Sequence, residues 1–501
     1  DDWEEGAYLS HESEKLCLLA NSGDVEHMMA MLDDTEHPVN IDSNDCLGRS
    51  AFHITIFARQ PKACALLMER GCKVARRIRD GRTALHLAAQ YNDLDTLGGL
   101  LACIKVRKEQ QHKKEEEKAL ARQGDDDEGD EDEDEDEDED GVMVLSDDDD
   151  EEEEDLDILE VEESDFDFGF NALHYAVFFG RVEAVKMLLE AGANPRKSVE
   201  SKQDESQRMY GQQPTTMSMF QLVATLNTHN PEAASNILRL LTAKGLHVAT
   251  LSKRFMSGLF DFAQMGATEL ILTSKECDPT FNKALNLPSP VGETPLMAVC
   301  TNGKSDNSLK CVQALLDAGA TLVSDGKMAA KLRDQERLQQ QASGGGGFGF
   351  GNFGANETEQ KSAIGVTIQR INQMFTTGVQ HAQTYITHLM AGLNIPLKNK
   401  KRKNTSFGGF ANNNFFGHGS VEAGLDAIKT SANQIKTLFK QLSILLAAPG
   451  AADVLNFVVA KENLKPNQVA PPSLAQTLAI TLSNIRSQYV FNVTTHLVLP
   501  N

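Results

Sequence analysis

The sequence predicts an all-α chain: a solenoid of stacked helix pairs, interrupted by a disordered acidic insert and followed by a C-terminal helical region. Three phrases recur in register, Ser50-Ala-Phe-His-Ile-Thr-Ile56, Thr83-Ala-Leu-His-Leu-Ala-Ala89 and Asn171-Ala-Leu-His-Tyr-Ala-Val177. His86 lies 33 residues beyond His53, and His174 lies 88 beyond His86, which is one more period plus 55 inserted residues. A fixed period of this size marks a repeat array. Residues 125–167 fill most of the excess and hold 30 Asp and Glu with no Lys or Arg. Beyond residue 359, apolar residues recur at steps of three and four, the spacing of one helix face.

Composition narrows the class. The chain has 501 residues, 41% of them hydrophobic, which suits a packed core over much of its length. Its formal charge of −25 falls entirely on the 30 acids of residues 125–167, and without them the remainder is +5. The global charge therefore describes one segment. Eight cysteines (Cys17, Cys46, Cys64, Cys72, Cys103, Cys277, Cys300 and Cys311) include no C-x-x-C pair and no His/Cys cluster at zinc spacing. They read as reduced core thiols in a nuclear or cytoplasmic protein, with no metal and no cofactor expected. The most apolar stretch, residues 442–460, is broken by Pro449-Gly450 and Asp453, so no membrane span is expected. The chain begins at Asp1 rather than Met, which leaves open that it is a piece of a longer protein.

Each recurring phrase opens on a residue whose side-chain oxygen caps a helix: Ser50, Thr83, Asn171, and Thr294 in Gly292-Glu-Thr-Pro-Leu-Met-Ala298. Pro295 then falls at the first helical position, where no amide proton is needed. A second apolar pattern follows, as in Val182-Glu-Ala-Val-Lys-Met-Leu-Leu-Glu190, and ends on Gly192-Ala193-Asn194-Pro195. Gly71 and Gly319-Ala320 close their repeats in the same way. The repeat is helix, turn, helix, stop.

These residues resemble the ankyrin-repeat family, whose pattern runs Gly-x-Thr-Pro-Leu-His-x-Ala-Ala, a second helix, then Leu-Leu-x-x-Gly-Ala. Gly48, Gly81, Gly169 and Gly292 match its first glycine, and the pairs Leu100-Leu101, Leu188-Leu189 and Leu315-Leu316 its leucines. A weaker opening repeat spans residues 14–31, and two degenerate ones are expected at 220–245 and 255–274. The resemblance covers residues 11–104 and 161–325 and implies an array whose concave helical face binds protein partners. It also implies that the recurrent histidines are structural, bonding within and between repeats.

Residues 105–160 form the insert: a charged helical extension, then the acidic tract, expected to be disordered because like charges this dense oppose a compact fold. Within it stand Val142, Met143, Val144 and Leu145, followed by Ser146 and the acids from Asp147 and Asp148 onward. The pattern resembles the motif that binds the small ubiquitin-like modifier, SUMO, by adding a strand to a sheet edge. The resemblance implies Val142, Val144 and Leu145 as anchors and Asp147 and Asp148 as part of an electrostatic clamp, with Ser146 a phosphorylation candidate that would add charge to it. A solubilising loop, or a tract that engages histones and other basic proteins, are the alternatives. A similar patch at Ile158-Leu-Glu-Val161 reads either as a second motif or as the start of the next repeat.

Residues 342–358 read as a Gly/Phe-rich linker, and residues 359–501 as a helical region. Two narrow seams run through it, one from Ile368 to Leu389 and the other from Val421 to Leu445. They fit an intramolecular hairpin joined by a helix near 475–485, or self-association through a coiled coil. The loop at 393–419 carries Lys398, Lys400, Lys401, Arg402 and Lys403, which favour a nuclear import signal. Nucleic acid is disfavoured as a partner, since no stacking platform or recognition-helix pattern accompanies the cluster.

No phosphate-binding loop, nucleophile elbow or H-E-x-x-H motif is present, so no catalytic residue is expected. The functional expectation is a non-enzymatic scaffold or adaptor, nuclear in preference to cytoplasmic. The cytosolic part of an ankyrin-bearing channel, or a bacterial effector, is the alternative.

Overall fold

The computed structural model describes residues 11–45, 47–106, 108–109, 160–200, 216–302, 306–342, 361–392, 420–456 and 473–496. They fall into two compact bodies, one within 1–226 and 232–245, the other within 227–231 and 246–501. Apart from a pair of two-residue strands, the regular elements are helical.

The first body stacks five helix pairs: α1 (His11–Ser22) with α2 (Val25–Leu32), α3 (Ala51–Phe57) with α4 (Pro61–Glu69), α5 (Ala84–Tyr91) with α6 (94–106), α7 (Ala172–Phe178) with α8 (Val182–Glu190), and α9 (Met219–Asn227) with α10 (Pro231–Ala243). First helices pack on first helices, α1 on α3, α3 on α5, α5 on α7. Alanines at the joints, Ala20, Ala88, Ala89 and Ala176, are fully buried and let the backbones approach, while Phe52, Ile56, Leu85 and Leu173 fill the layers between. Helices this short are marginal alone, so their stability comes from neighbours.

Between pairs the chain makes a tight finger whose two sides meet just before the helix cap, at Asn44 and Ser50, Arg77 and Thr83, and Leu251 and Ser257. In the fifth repeat the finger is the strand pair β1 (Val199–Glu200) and β2 (Thr216–Met217), antiparallel with Val199 opposite Met217. The array continues across the long insert. His86 bonds the carbonyl of Phe170 at 3.0 Å, Phe166 N donates to Asp80 O at 3.0 Å, and Arg181 Nε donates to Gln90 O at 3.1 Å. The third and fourth repeats thus stack directly although about 60 residues of chain separate α6 from α7. Residues 110–159, which include the acidic tract, lie outside the described residues.

The second body continues the same architecture with α11 (Gly258–Met265) and α12 (Thr268–Cys277), a short α13 (Phe281–Leu285), then α14 (Pro295–Asn302) and α15 (Asp306–Asp317). The expected degenerate stretches at 220–245 and 255–274 each hold a helix pair. A third pair packs on these: α17 (Ala363–Gly392) on α14, and α18 (Ser420–Ala447) on α15. Its finger is formed by residues far apart in sequence, with Val323 bridged to Ser362, Ser324 N donating to Lys361 O at 3.0 Å and Ala363 N to Leu322 O at 2.8 Å. Ser362 Oγ accepts from Gly365 N at 3.0 Å, as a helix cap should. Ser362-Ala-Ile-Gly-Val-Thr-Ile368 matches Ser50-Ala-Phe-His-Ile-Thr-Ile56 at the cap and the apolar positions. We therefore read α17 and α18 as an eighth repeat whose finger holds α16 (Gly326–Ala342) and whose helices have grown to 30 and 28 residues. At about 1.5 Å per residue they span roughly 45 and 42 Å. α17 packs along α18, and of the two predicted seams Ile368, Ile371, Leu442 and Leu445 are buried. α19 (Ala451–Asn456) and α20 (Leu474–His496) complete the end, α20 packing on α17, where Asn372 Nδ2 donates to Thr481 Oγ1 at 2.9 Å.

Candidate protein-docking surface

The cap of each first helix determines what the repeat exposes. In three repeats the backbone N–H of the capping residue donates to the Nδ1 of the histidine three residues on: Ser50 to His53 at 3.3 Å, Thr83 to His86 at 3.1 Å, Asn171 to His174 at 3.1 Å. An Nδ1 that accepts leaves the proton on Nε2. Nε2 then donates to the next finger, at Arg76 O (3.1 Å), Phe170 O (3.0 Å) and Lys197 O (2.9 Å). All three rings are buried, and burial pushes each imidazole down from 6.5 to about 4, so they are neutral at physiological pH. These histidines are internal ties. In the fifth repeat Gln221 makes the within-repeat half of this arrangement, its Oε1 accepting from Ser218 N at 3.1 Å while its backbone N–H donates to Ser218 Oγ at 3.2 Å.

The fourth finger departs from the others. Fingers close with an N–H to carbonyl bond four residues apart, as from Asp45 to Arg49 and from Ile78 to Arg82, both at 2.9 Å. In the fourth, Asp165 N donates to Phe170 O, five apart, so one extra residue is pushed outward. Asp165 is fully buried and organises the tip: its Oδ1 accepts from Phe168 N (2.8 Å), Gly169 N (2.6 Å) and Phe170 N (3.3 Å), and its Oδ2 from the Tyr175 hydroxyl. Burial, and then Asp165, hold the Tyr175 phenol protonated far above its usual range. Charge joins this finger to its neighbours, Arg77 pairing with Glu163 at 3.0 Å and Lys197 with Glu162 at 3.4 Å. Val161 is buried in the same finger, while Ile158 and Leu159 of the patch at 158–161 lie outside the described residues.

The result is a cluster of exposed rings. Phe166 and Phe168 on the tip are 48% and 60% exposed, and Phe178 and Phe179 at the end of α7 are 43% and 39% exposed. Phe168, Phe178 and Phe179 join through Phe170 into one patch, with ring centroids 5.9 Å apart for Phe168 and Phe170, 5.9 Å for Phe170 and Phe178, and 5.2 Å for Phe178 and Phe179. The Arg77 guanidinium lies 5.2 Å from the Phe166 centroid. The same end of the two preceding first helices carries Phe57 and Tyr91, 5.6 Å apart, with Arg49 5.9 Å from Phe57. Three consecutive first helices therefore present aromatic rings flanked by arginine, the residue types enriched where proteins bind proteins. Contiguous exposed rings are uncommon on a surface that meets only water. These residues were missed in the sequence, although Asp165-Phe-Asp-Phe-Gly-Phe170 was a visible signal: three phenylalanines alternating through a polar turn.

The predicted strand motif, Val142, Met143, Val144, Leu145, Ser146, Asp147 and Asp148, and the basic cluster Lys398, Lys400, Lys401, Arg402 and Lys403 lie outside the described residues. Among the described residues no group of three His, Cys, Asp or Glu could hold a metal ion. No described helix is long and apolar enough to cross a membrane. Burial raises the thiols of Cys64 and Cys311 to about 11 and that of Cys300 to about 12, which keeps them protonated and unreactive.

Comparison with known families finds ankyrin repeats twice: three copies over residues 16–111, and one over residues 168–198. Among solved structures, the chain is similar to an ankyrin repeat domain from Acinetobacter baumannii, at 15% identity and a TM-score of 0.34, covering 53% of this chain and 97% of that one. It is also similar to the ankyrin repeat domain of Bcl-3, a member of the IkappaB protein family, at 17% identity and a TM-score of 0.39, covering 60% of this chain and 96% of that one. Comparison with curated proteins returned no match.

Proposed function

Since residues 16–111 and 168–198 are ankyrin repeats, and such repeats are protein-interaction scaffolds, we propose that this chain is a non-enzymatic adaptor that binds its main partner on the aromatic face of the second to fourth repeats. The observation that carries the reading is the exposed cluster of Phe166, Phe168, Phe178 and Phe179 on an array whose other large side chains are mostly buried. The partner presents an apolar side chain to these rings and an acceptor to the adjoining arginines. Proximity labelling in cells with the full chain, against Phe168→Ser with Phe178→Ser and Phe179→Ser, tests this. The labelled set is expected to lose specific members while circular dichroism shows the array still folded, because the substituted rings lie outside the core. An unchanged set refutes the assignment.

The acidic insert supplies a second docking element. Val142, Val144 and Leu145 dock as a strand on a SUMO-type sheet edge, and the acids beside them speed the encounter. Titrating labelled SUMO against the full chain should give saturable binding that Val142→Ala with Leu145→Ala removes. Binding that falls steeply with salt yet ignores those substitutions supports the basic-protein alternative instead. The cluster Lys398, Lys400, Lys401, Arg402 and Lys403 directs the adaptor to the nucleus; a tagged chain with Lys400→Ala and Lys401→Ala that stays nuclear refutes that step.

A further inference from the structure

Away from the aromatic face, the second helices of the third and fourth repeats enclose a cleft. α4 and α8 have 9 residues each, but α6 runs through residue 106 and is helical again at 108–109, so it outlasts its neighbour. The two helices are close at Gly98, where a Cβ would stand 3.4 Å from Met187 Cε. The cleft beside that contact has a volume of about 920 Å³ and a floor of Leu101, Ala102, Ile104, Val161 and Met187. Its size lies within the roughly 300–1,000 Å³ of cavities that bury small ligands. Lys105 and Lys108 line it, with Glu109 and Glu190.

We infer that this cleft is occupied in cis by the apolar tetrad Val142-Met-Val-Leu145. The described chain on either side of residues 110–159 reaches the cleft, since Glu109 and Val161 line it. From Leu145 to Glu160 is 15 residues, a reach of up to about 50 Å when extended. The tetrad is the largest uninterrupted apolar run between residues 125 and 155, and its chemistry matches the floor. The two lysines of the lining, Lys105 and Lys108, are balanced by Glu109 and Glu190, so its charge neither draws in nor excludes the acidic flanks and the apolar residues carry the fit. A tether of this length gives an effective concentration of order 1 mM, so even an intrinsic dissociation constant of about 0.1 mM leaves the tetrad about ten to one in the cleft. An external partner for the same residues then binds about tenfold more weakly than it binds the isolated peptide.

This inference is independent of whether SUMO binds the tetrad, because its test contains no partner. Hydrogen exchange on the full chain should show amides of residues 142–145 at least about tenfold slower than those of residues 130–139 after correction for intrinsic rates. Ala102→Glu, at an exposed position of the floor, should abolish that difference while α5 and α7 stay protected. Val142→Asp with Leu145→Asp, which touches no described helix, should do the same and speed exchange over residues 101–104. Free-chain exchange at 142–145, or protection that survives Ala102→Glu, overturns the inference.

Discussion

Mild acid should loosen the first body through its three tied histidines. In the folded chain His53, His86 and His174 take up a proton only near about 4, because burial opposes the charge, and their ordinary value is 6.5. The unfolded chain therefore binds more protons between these limits. The stability that the neutral rings contribute is intact above pH about 6.5 and is lost as pH falls toward about 4. At pH 5 the linkage amounts to about 2 kcal/mol for each ring and about 6 kcal/mol for the three, against a typical domain stability of about 5–15 kcal/mol. Urea unfolding of the full chain followed by circular dichroism at pH 7 and pH 5 measures this. The molecule itself holds a group at this position that does not titrate: Gln221 accepts from the cap amide of Ser218 at 3.1 Å, as the histidines accept from theirs. His53→Gln with His86→Gln and His174→Gln should keep the cap bond within each repeat and flatten the pH dependence. A wild-type midpoint unmoved between pH 7 and 5, or a glutamine variant with the same pH slope, refutes the reasoning.

Other outcomes follow from single contacts. Asp165→Ala leaves three finger amides and the Tyr175 hydroxyl without their acceptor and should cost about 3 kcal/mol in chemical denaturation, which a pure loss of surface charge would not. Gly81→Ala should destabilise more than Gly71→Ala: both have positive φ, +82° and +79°, but only at Gly81 would a Cβ meet the next finger, 2.6 Å from Phe166 N. Replacing residues 110–159 with a six-residue Gly/Ser linker should keep the array folded and change its stability by less than about 1 kcal/mol, since the closure entropy recovered over about three halvings of loop length, about 2 kcal/mol, is offset by about 1.4 kcal/mol of lost cis docking. A large loss of stability would show that the insert supports the fold.

The second, third and fourth repeats were legible because caps, histidines and leucine pairs sit where a 33-residue period, with one insertion, puts them, whereas the first was read only as a weaker opening repeat. The fifth was faint because Gln221 stands where histidine signals the box, although the bonds it makes are of the same kind. The eighth was hidden for two physical reasons: Gly365 replaces the histidine, and α16 opens its finger, so Ser362 caps a helix whose finger partner lies 39 residues earlier. A seam predicts a packed helix face but not which neighbour covers it, and only the contacts of α17 with α14 and of α18 with α15 resolved that. The finger-tip part of the aromatic face escaped notice because the wider turn that carries Phe166 and Phe168 differs from the other fingers by one residue. Periodicity reports what is buried in common; a docking surface is made of what each repeat does differently.

The tie from His86 to Phe170 also puts a delay into synthesis. The third repeat is complete when residue 109 has emerged, but the carbonyl that satisfies His86 arrives about 60 residues later. At about 5–20 residues per second the ribosome takes roughly 3–12 s to supply it. During that interval the nascent chain presents an unfinished end, with the side of α5 that will meet α7 still uncovered. The acidic run emerges in the same seconds, placing a dense negative charge beside the open end while it waits for its fourth repeat.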